Sequence, residues 1–209
     1  MFGHSSRIVI STSDMASSVN AWTALGFEVE SQDESVIRLT DGQILLSLIN
    51  ESFASPALAY FNSNSDKVGT VALPGDLTVF IHHRPMEEEE RPTHEQNPMI
   101  GFFDALAVGV PDPAVARTVY EQHGFFVQEE WGGEYPQSDV TDGLNVISLH
   151  GIGSKRFLAY SADDLEDLVD AIDLESGVDV AVNRTDDGIP QSVILTTPEG
   201  TTILVSEDL

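Results

Sequence analysis

The 209-residue chain has no cysteine and only two lysines, Lys67 and Lys155. Without thiols there is no disulfide, no thiolate nucleophile and no Cys-ligated zinc or iron-sulfur centre, so any metal must be held by His, Asp or Glu. Positive charge is scarce throughout: 9 Lys+Arg stand against 35 Asp+Glu, a formal net charge of −26. A field of that sign repels phosphate backbones and anionic bilayers, which argues against nucleic acid and membrane surfaces as partners. No apolar run reaches the roughly 20 residues that span a bilayer. The opening Met-Phe-Gly-His-Ser-Ser lacks the basic region and apolar stretch of a signal peptide. The expectation is a soluble, cytoplasmic protein.

The acids are spread along the chain, as in a solvated coat. Repulsion within such a coat is screened over a Debye length of about 8 Å at physiological ionic strength. The melting temperature is therefore expected to climb between low and moderate NaCl in a calorimetric series. A flat or falling curve would mean that the acids are compensated locally.

With 41% hydrophobic residues the chain can bury a core without staples. Arg7 to Thr12 alternates as a strand, and Ser13-Asp14 supplies N-cap chemistry for a helix from Met15 to Leu25, which Gly26 stops. Residues 27–31, 36–40 and 44–49 read as three short strands, with Asp41-Gly42 as the hairpin between the last two. The segment reads β-α-β-β-β.

The same grammar returns about a hundred residues later. Asp14, Trp22 and Gly26 match Asp112, Tyr120 and Gly124, each 98 residues on, so cap, aromatic and helix stop keep one spacing. Thr40-Asp41-Gly42 and Ser47-Leu48 match Thr141-Asp142-Gly143 and Ser148-Leu149 at an offset of 101, after a small insertion within 129–137. A further unit spans 157–207: a strand, a helix capped around Ala162-Asp163-Asp164, and three strands. Its counterpart, 55–84, keeps only its ends, where Leu58-Ala59-Tyr60 matches Leu158-Ala159-Tyr160. The expected organisation is a first half over 1–85, with modules at 7–50 and, truncated, at 55–84. An acidic linker follows over 86–100, then a second half over 101–209 with modules at 104–150 and 156–207.

Four tandem β-α-β-β-β units, the second truncated, with an opening of strand, Asp and a helix that in the first bears Trp22 and ends in Leu25-Gly26-Phe27, resemble the vicinal-oxygen-chelate superfamily of glyoxalases, bleomycin-resistance proteins and extradiol dioxygenases. The closing Pro198-Glu199-Gly200-Thr201-Thr202-Ile203 is similar to that superfamily's terminal turn and strand. The resemblance implies an α+β fold in which tandem βαβββ modules form half-open mixed sheets around a cup that holds the ligand. It also implies a divalent metal bound by one residue from the first strand and one from the last strand of each module, usually His, Glu or Gln. Here the corresponding first-strand residues are Arg7, Ala57, Ala105 and Phe157, and the last-strand residues are Ser47, Phe80, Ser148 and Leu204. None is a normal ligand for a transition metal, and Arg7 sets a permanent positive charge beside any cation. No metal and no cofactor are expected.

The residues left to bind a ligand are Arg7, with a guanidinium suited to bidentate recognition of a carboxylate, and Ser11 and Ser47 on the same face. His82 shares a face with Phe80, and His150 with Ser148. Trp131 and Tyr135, among Gly132, Gly133 and Pro136, read as a loop able to close over a cup. The first functional reading is a small-molecule binder without a metal, and a homodimer is compatible with it. One alternative is a lyase or isomerase with relocated metal ligands or a histidine base at the rim. The other is a structural or regulatory module with its cups packed shut.

Overall fold

A computed structural model describes residues 2–84, 99–151, 155–172 and 176–207. The first module runs β1 (Ser5–Ser11), α1 (Met15–Ala24), β2 (Glu28–Gln32), β3 (Val36–Thr40) and β4 (Leu45–Ile49). The third repeats it as β8 (Phe102–Gly109), α2 (Pro113–Gln122), β9 (Phe126–Trp131), β10 (Gln137–Thr141) and β11 (Val146–His150). The fourth is β12 (Arg156–Ser161), α3 (Leu165–Ala171), β13 (Asp179–Arg184), β14 (Pro190–Thr196) and β15 (Thr202–Ser206). Between the first and third, the truncated module keeps β5 (Ala57–Asn62), β6 (Gly69–Leu73) and β7 (Leu77–His83). It has one 3-10 turn at Ser65–Lys67 where the others have a helix. Most of the expected linker, 86–98, lies outside the described residues.

The strands form two open mixed sheets, ordered β2-β3-β4-β1-β5-β7-β6 and β13-β14-β15-β12-β8-β11-β10-β9. Within a module the first and last strands pair in parallel, as β5 with β7, β8 with β11 and β12 with β15, while hairpin neighbours are antiparallel. Packing divides the chain into two compact units. One gathers the second and third modules with β1 up to Ile8, and the other gathers the first and fourth modules with residues 99–104. No helix among the described residues is long and apolar enough to cross a membrane.

Local chemistry explains α1 and α2. Asp14 accepts from Ser17 N at 3.1 Å, and Asp112 accepts from Ala114 N and Val115 N at 3.0 and 3.1 Å. Both therefore satisfy amide groups that a helix start leaves orphaned. Pro113 follows its cap at the position where a missing N–H costs nothing. Gly26 and Gly124 end their helices at φ of 89° and 92°, in the left-handed region.

In the unit of the second and third modules, Tyr120 is fully buried edge-on against Phe125, and its hydroxyl donates to Pro74 O at 3.1 Å. In the other unit, Trp22 is fully buried edge-on against Phe27, with centroids 4.8 Å apart. Its indole Nε1 donates to Glu199 Oε1 at 2.8 Å.

The two repeated tripeptides meet inside these cores. Asp41 Oδ1 accepts from Gln43 N and Ile44 N at 2.8 Å each and so holds the hairpin, while its Oδ2 accepts from the buried Tyr160 hydroxyl at 2.9 Å. In the other unit, Asp142 Oδ1 holds its own hairpin through Leu144 N and Asn145 N, at 3.0 Å each. The Tyr60 hydroxyl beside it accepts from Asn145 Nδ2 at 2.8 Å. Burial, followed by the adjacent aspartate, raises both tyrosine hydroxyls well above their ordinary value.

Candidate functional site

The Asp142-Gly143 hairpin sets the register of β10 against β11, which places Asp139 opposite Ser148 and Gln137 opposite His150. Directly opposed residues share a face, as do alternate residues along one strand, so these four project together. Ser148 Oγ donates to Asp139 Oδ1 at 2.6 Å. Gln137 Nε2 lies 3.0 Å from Ser148 Oγ and 3.3 Å from Asp139 Oδ1. On one side β8 contributes Ala107 beside Ser148 and Gly109 beside His150, both too small to fill the face. On the other, β9 sets Glu129 opposite Asp139 and Trp131 opposite Gln137.

Burial pulls the His150 imidazole below its ordinary value, and the Asp139 carboxylate partly restores it. The unfolded chain titrates this imidazole near 6.5. It therefore takes up the proton first, so the contribution to stability is full above that pH and is lost as the pH falls through the lower folded value. In an NMR titration the His150 ring is expected to show a midpoint below 6.5, and Asp139→Asn is expected to lower it further. A midpoint at or above 6.5 contradicts the site as described.

Of the sequence candidates, Ser148, His150 and Trp131 stand on this face. Trp131 closes β9 rather than lying in a loop, because it pairs with Gln137, and it remains 40% exposed. Tyr135 is 63% exposed in the short turn that follows. Arg7 belongs to the same unit but is buried, at 3% exposure. His82 is exposed and stacks on Phe61 and Phe80, with centroids 5.8 and 6.5 Å apart. Ser11 and Ser47 belong to the other unit. There Ser11 Oγ donates to Glu51 O at 2.5 Å, and the buried Ser47 lies opposite Arg38. Sequence reasoning missed Gln137, Asp139 and Glu129. Counting outward from Asp142-Gly143 to the partners of Ser148 and His150 is the signal that finds the first two.

No family model matches the sequence, and no curated protein matches it. Solved structures do. An extradiol ring-cleaving dioxygenase from B. fuscum superposes with a TM-score of 0.63 at 16% identity, over 96% of this chain and 70% of the dioxygenase. Homoprotocatechuate 2,3-dioxygenase from Brevibacterium fuscum, in complex with 3,4-dihydroxyphenylacetate, does so with a TM-score of 0.62 at 16% identity, over 95% and 78%.

The chain has the vicinal-oxygen-chelate fold.

Enzymes of that superfamily hold a divalent metal, and the strand pairing tests whether these residues fit one. Phe80, Ser148 and Leu204 lie beside Ala59, Ala107 and Ala159 in three parallel pairings of one form, so they occupy equivalent last-strand places. His82 lies two residues beyond Phe80, outside that place. The only oxygen donors among the eight family positions are the Ser47 and Ser148 hydroxyls, and the second is committed to Asp139. Among the described residues no three His, Asp or Glu side chains converge as a metal site would require. The donor set does not fit a transition metal.

Proposed function

We propose that the chain is a cytoplasmic protein that binds a small molecule without a metal, using the β9–β11 face of the third module. The observation that carries this reading is the Asp139–Ser148–Gln137 cluster, joined by hydrogen bonds where the fold's enzymes have a metal ligand. A built polar cluster flanked by the small Ala107 and Gly109 can fix the orientation of a bound ligand. Arg7, Ser11, Ser47, His82 and Tyr135 remain secondary candidates. A second reading, a lyase or isomerase with a histidine base, is favoured by one feature: burial, against the opposing pull of Asp139, favours the uncharged His150 imidazole, the form that accepts a proton.

The test is a small-molecule screen by NMR on the full chain in the presence of a chelator. The binding reading expects ligand-induced shifts centred on Gln137, Asp139 and His150. Shifts confined to other residues, or hits that vanish with the chelator, oppose it. Turnover of a hit, abolished by His150→Gln while binding survives, would instead support the enzyme.

A further inference from the structure

Adjacent glutamates on β9 point to opposite faces and meet opposite fates. Glu130 pairs with the Arg117 guanidinium and also accepts from Ser138 Oγ at 3.4 Å. Glu129 lies on the other face, directly opposite Asp139, and no described cation meets either carboxylate. Like charges facing each other across a strand pair are unfavourable. Among Asp139, Ser148 and Gln137 the donors are engaged with one another: the Ser148 hydroxyl goes to Asp139 Oδ1, and the Gln137 amide nitrogen is turned toward both Ser148 Oγ and Asp139 Oδ1. Apart from the His150 ring, the unspent groups on the face are acceptors, namely Asp139 Oδ2, Gln137 Oε1 and the Glu129 carboxylate. Trp131, two residues from Glu129 and opposite Gln137, adds an aromatic surface on the same side.

We infer that this face takes a small organic cation, its ammonium or guanidinium group between Asp139 and Glu129 and its apolar part against Trp131. The inference rests on the proposed binding role and supplies its ligand class. A donor-only group complements three acceptors, relieves the facing carboxylates, and gains from an indole ring at close range. Burial disfavours the charged form of the His150 ring, so that ring does little to offset the facing carboxylates.

A chain of net charge −26 attracts every cation weakly, so the test must separate a site from a field. Phenethylammonium and phenethylguanidinium are titrated against the full chain at about 0.15 M NaCl, where long-range attraction is screened. Phenylethanol and phenylacetate serve as the neutral and anionic counterparts. Expected are saturable binding of the two cations only and quenching of Trp131 fluorescence that is absent from Trp131→Phe. Binding should weaken at least tenfold in Asp139→Asn and in Glu129→Gln, with Glu130→Gln unchanged. Glu129 is exposed on an edge strand, so its variant reports even if Asp139→Asn fails to fold.

Equal weakening by Glu130→Gln, or binding that ignores all three carboxylates, overturns the inference in favour of general attraction. Phenylethanol or phenylacetate bound at Trp131 overturns the ligand class while leaving the binding role intact. Zinc or manganese alone shifting the same resonances overturns both.

Discussion

Glu199→Ala is expected to destabilise the protein by about 3–5 kcal/mol, because three donors lose one acceptor. Glu199 Oε1 accepts from Trp22 Nε1 at 2.8 Å and from Thr197 Oγ1 at 2.7 Å, while Oε2 accepts from Ser18 Oγ at 2.8 Å. Trp22, Ser18 and Thr197 are buried, so each of these donors depends on the half-buried Glu199 carboxylate for its partner. The direction of the relay follows from its ends. Asp14 N–H donates to Thr12 Oγ1, which leaves the Thr12 proton for Ser18 and the Ser18 proton for Glu199. Glu199→Gln keeps one carbonyl for Trp22 and Thr197, and its amide can reverse the Ser18 link, so that variant is expected to lose only about 1 kcal/mol. At about 2–4 °C per kcal/mol for a chain of this size, the alanine variant should melt roughly 6–20 °C lower in calorimetry. Equal melting of the two variants would show that the carboxylate does not organise this core.

The second large effect is expected at Asp41. Alanine there removes the acceptor of two hairpin amides and of the Tyr160 hydroxyl, in a place where both side chains are fully buried. Leaving three buried donors unsatisfied costs about 3–5 kcal/mol. Asparagine preserves Oδ1 for the amides and presents an N–H to the tyrosine oxygen, so Asp41→Asn is expected to lose about 1–2 kcal/mol. Urea unfolding of the two variants and of Tyr160→Phe checks this. If Tyr160→Phe were neutral and Asp41→Ala lost less than about 1 kcal/mol, the buried pair would hold nothing together.

These residues also show why so much of the fold could be read from the chain. Asp14, Gly26, Asp112 and Gly124 act on their own helix ends, and Asp41 and Asp142 on their own turns, so their chemistry is local and survives as a spacing in the sequence. The matched Leu-Ala-Tyr segments were visible as repeats, whereas their meeting with the hairpin aspartates was not, since it depends on which modules pack together. That the second module joins the third in one unit, and the first joins the fourth, is likewise a property of tertiary packing. The 3-10 turn at Ser65–Lys67 replaces a helix that the shortened segment has no residues to build.

The candidate site was less legible. Ser148 and His150 stood out because the repeat places them at the end of a module. Gln137 and Asp139 read as the polar half of an ordinary alternating strand, and only the cross-strand register turns that alternation into a cluster. Arg7 was attractive because cations are rare in this chain, yet its burial withdraws it from solvent. Trp131 read as part of a loop because Gly132 and Gly133 follow it, whereas pairing with Gln137 carries the strand through it.

The proposed binding role requires the Asp139–Ser148–Gln137 cluster to stand in place of a bound metal. Elemental analysis of untagged protein, followed by titration of zinc, manganese and ferrous iron monitored at the His150 and Gln137 NMR signals, decides between the two. Far less than one bound metal per chain and no saturable shift at either residue are expected. Stoichiometric metal, or a saturable shift of His150 that Asp139→Asn abolishes, would contradict it.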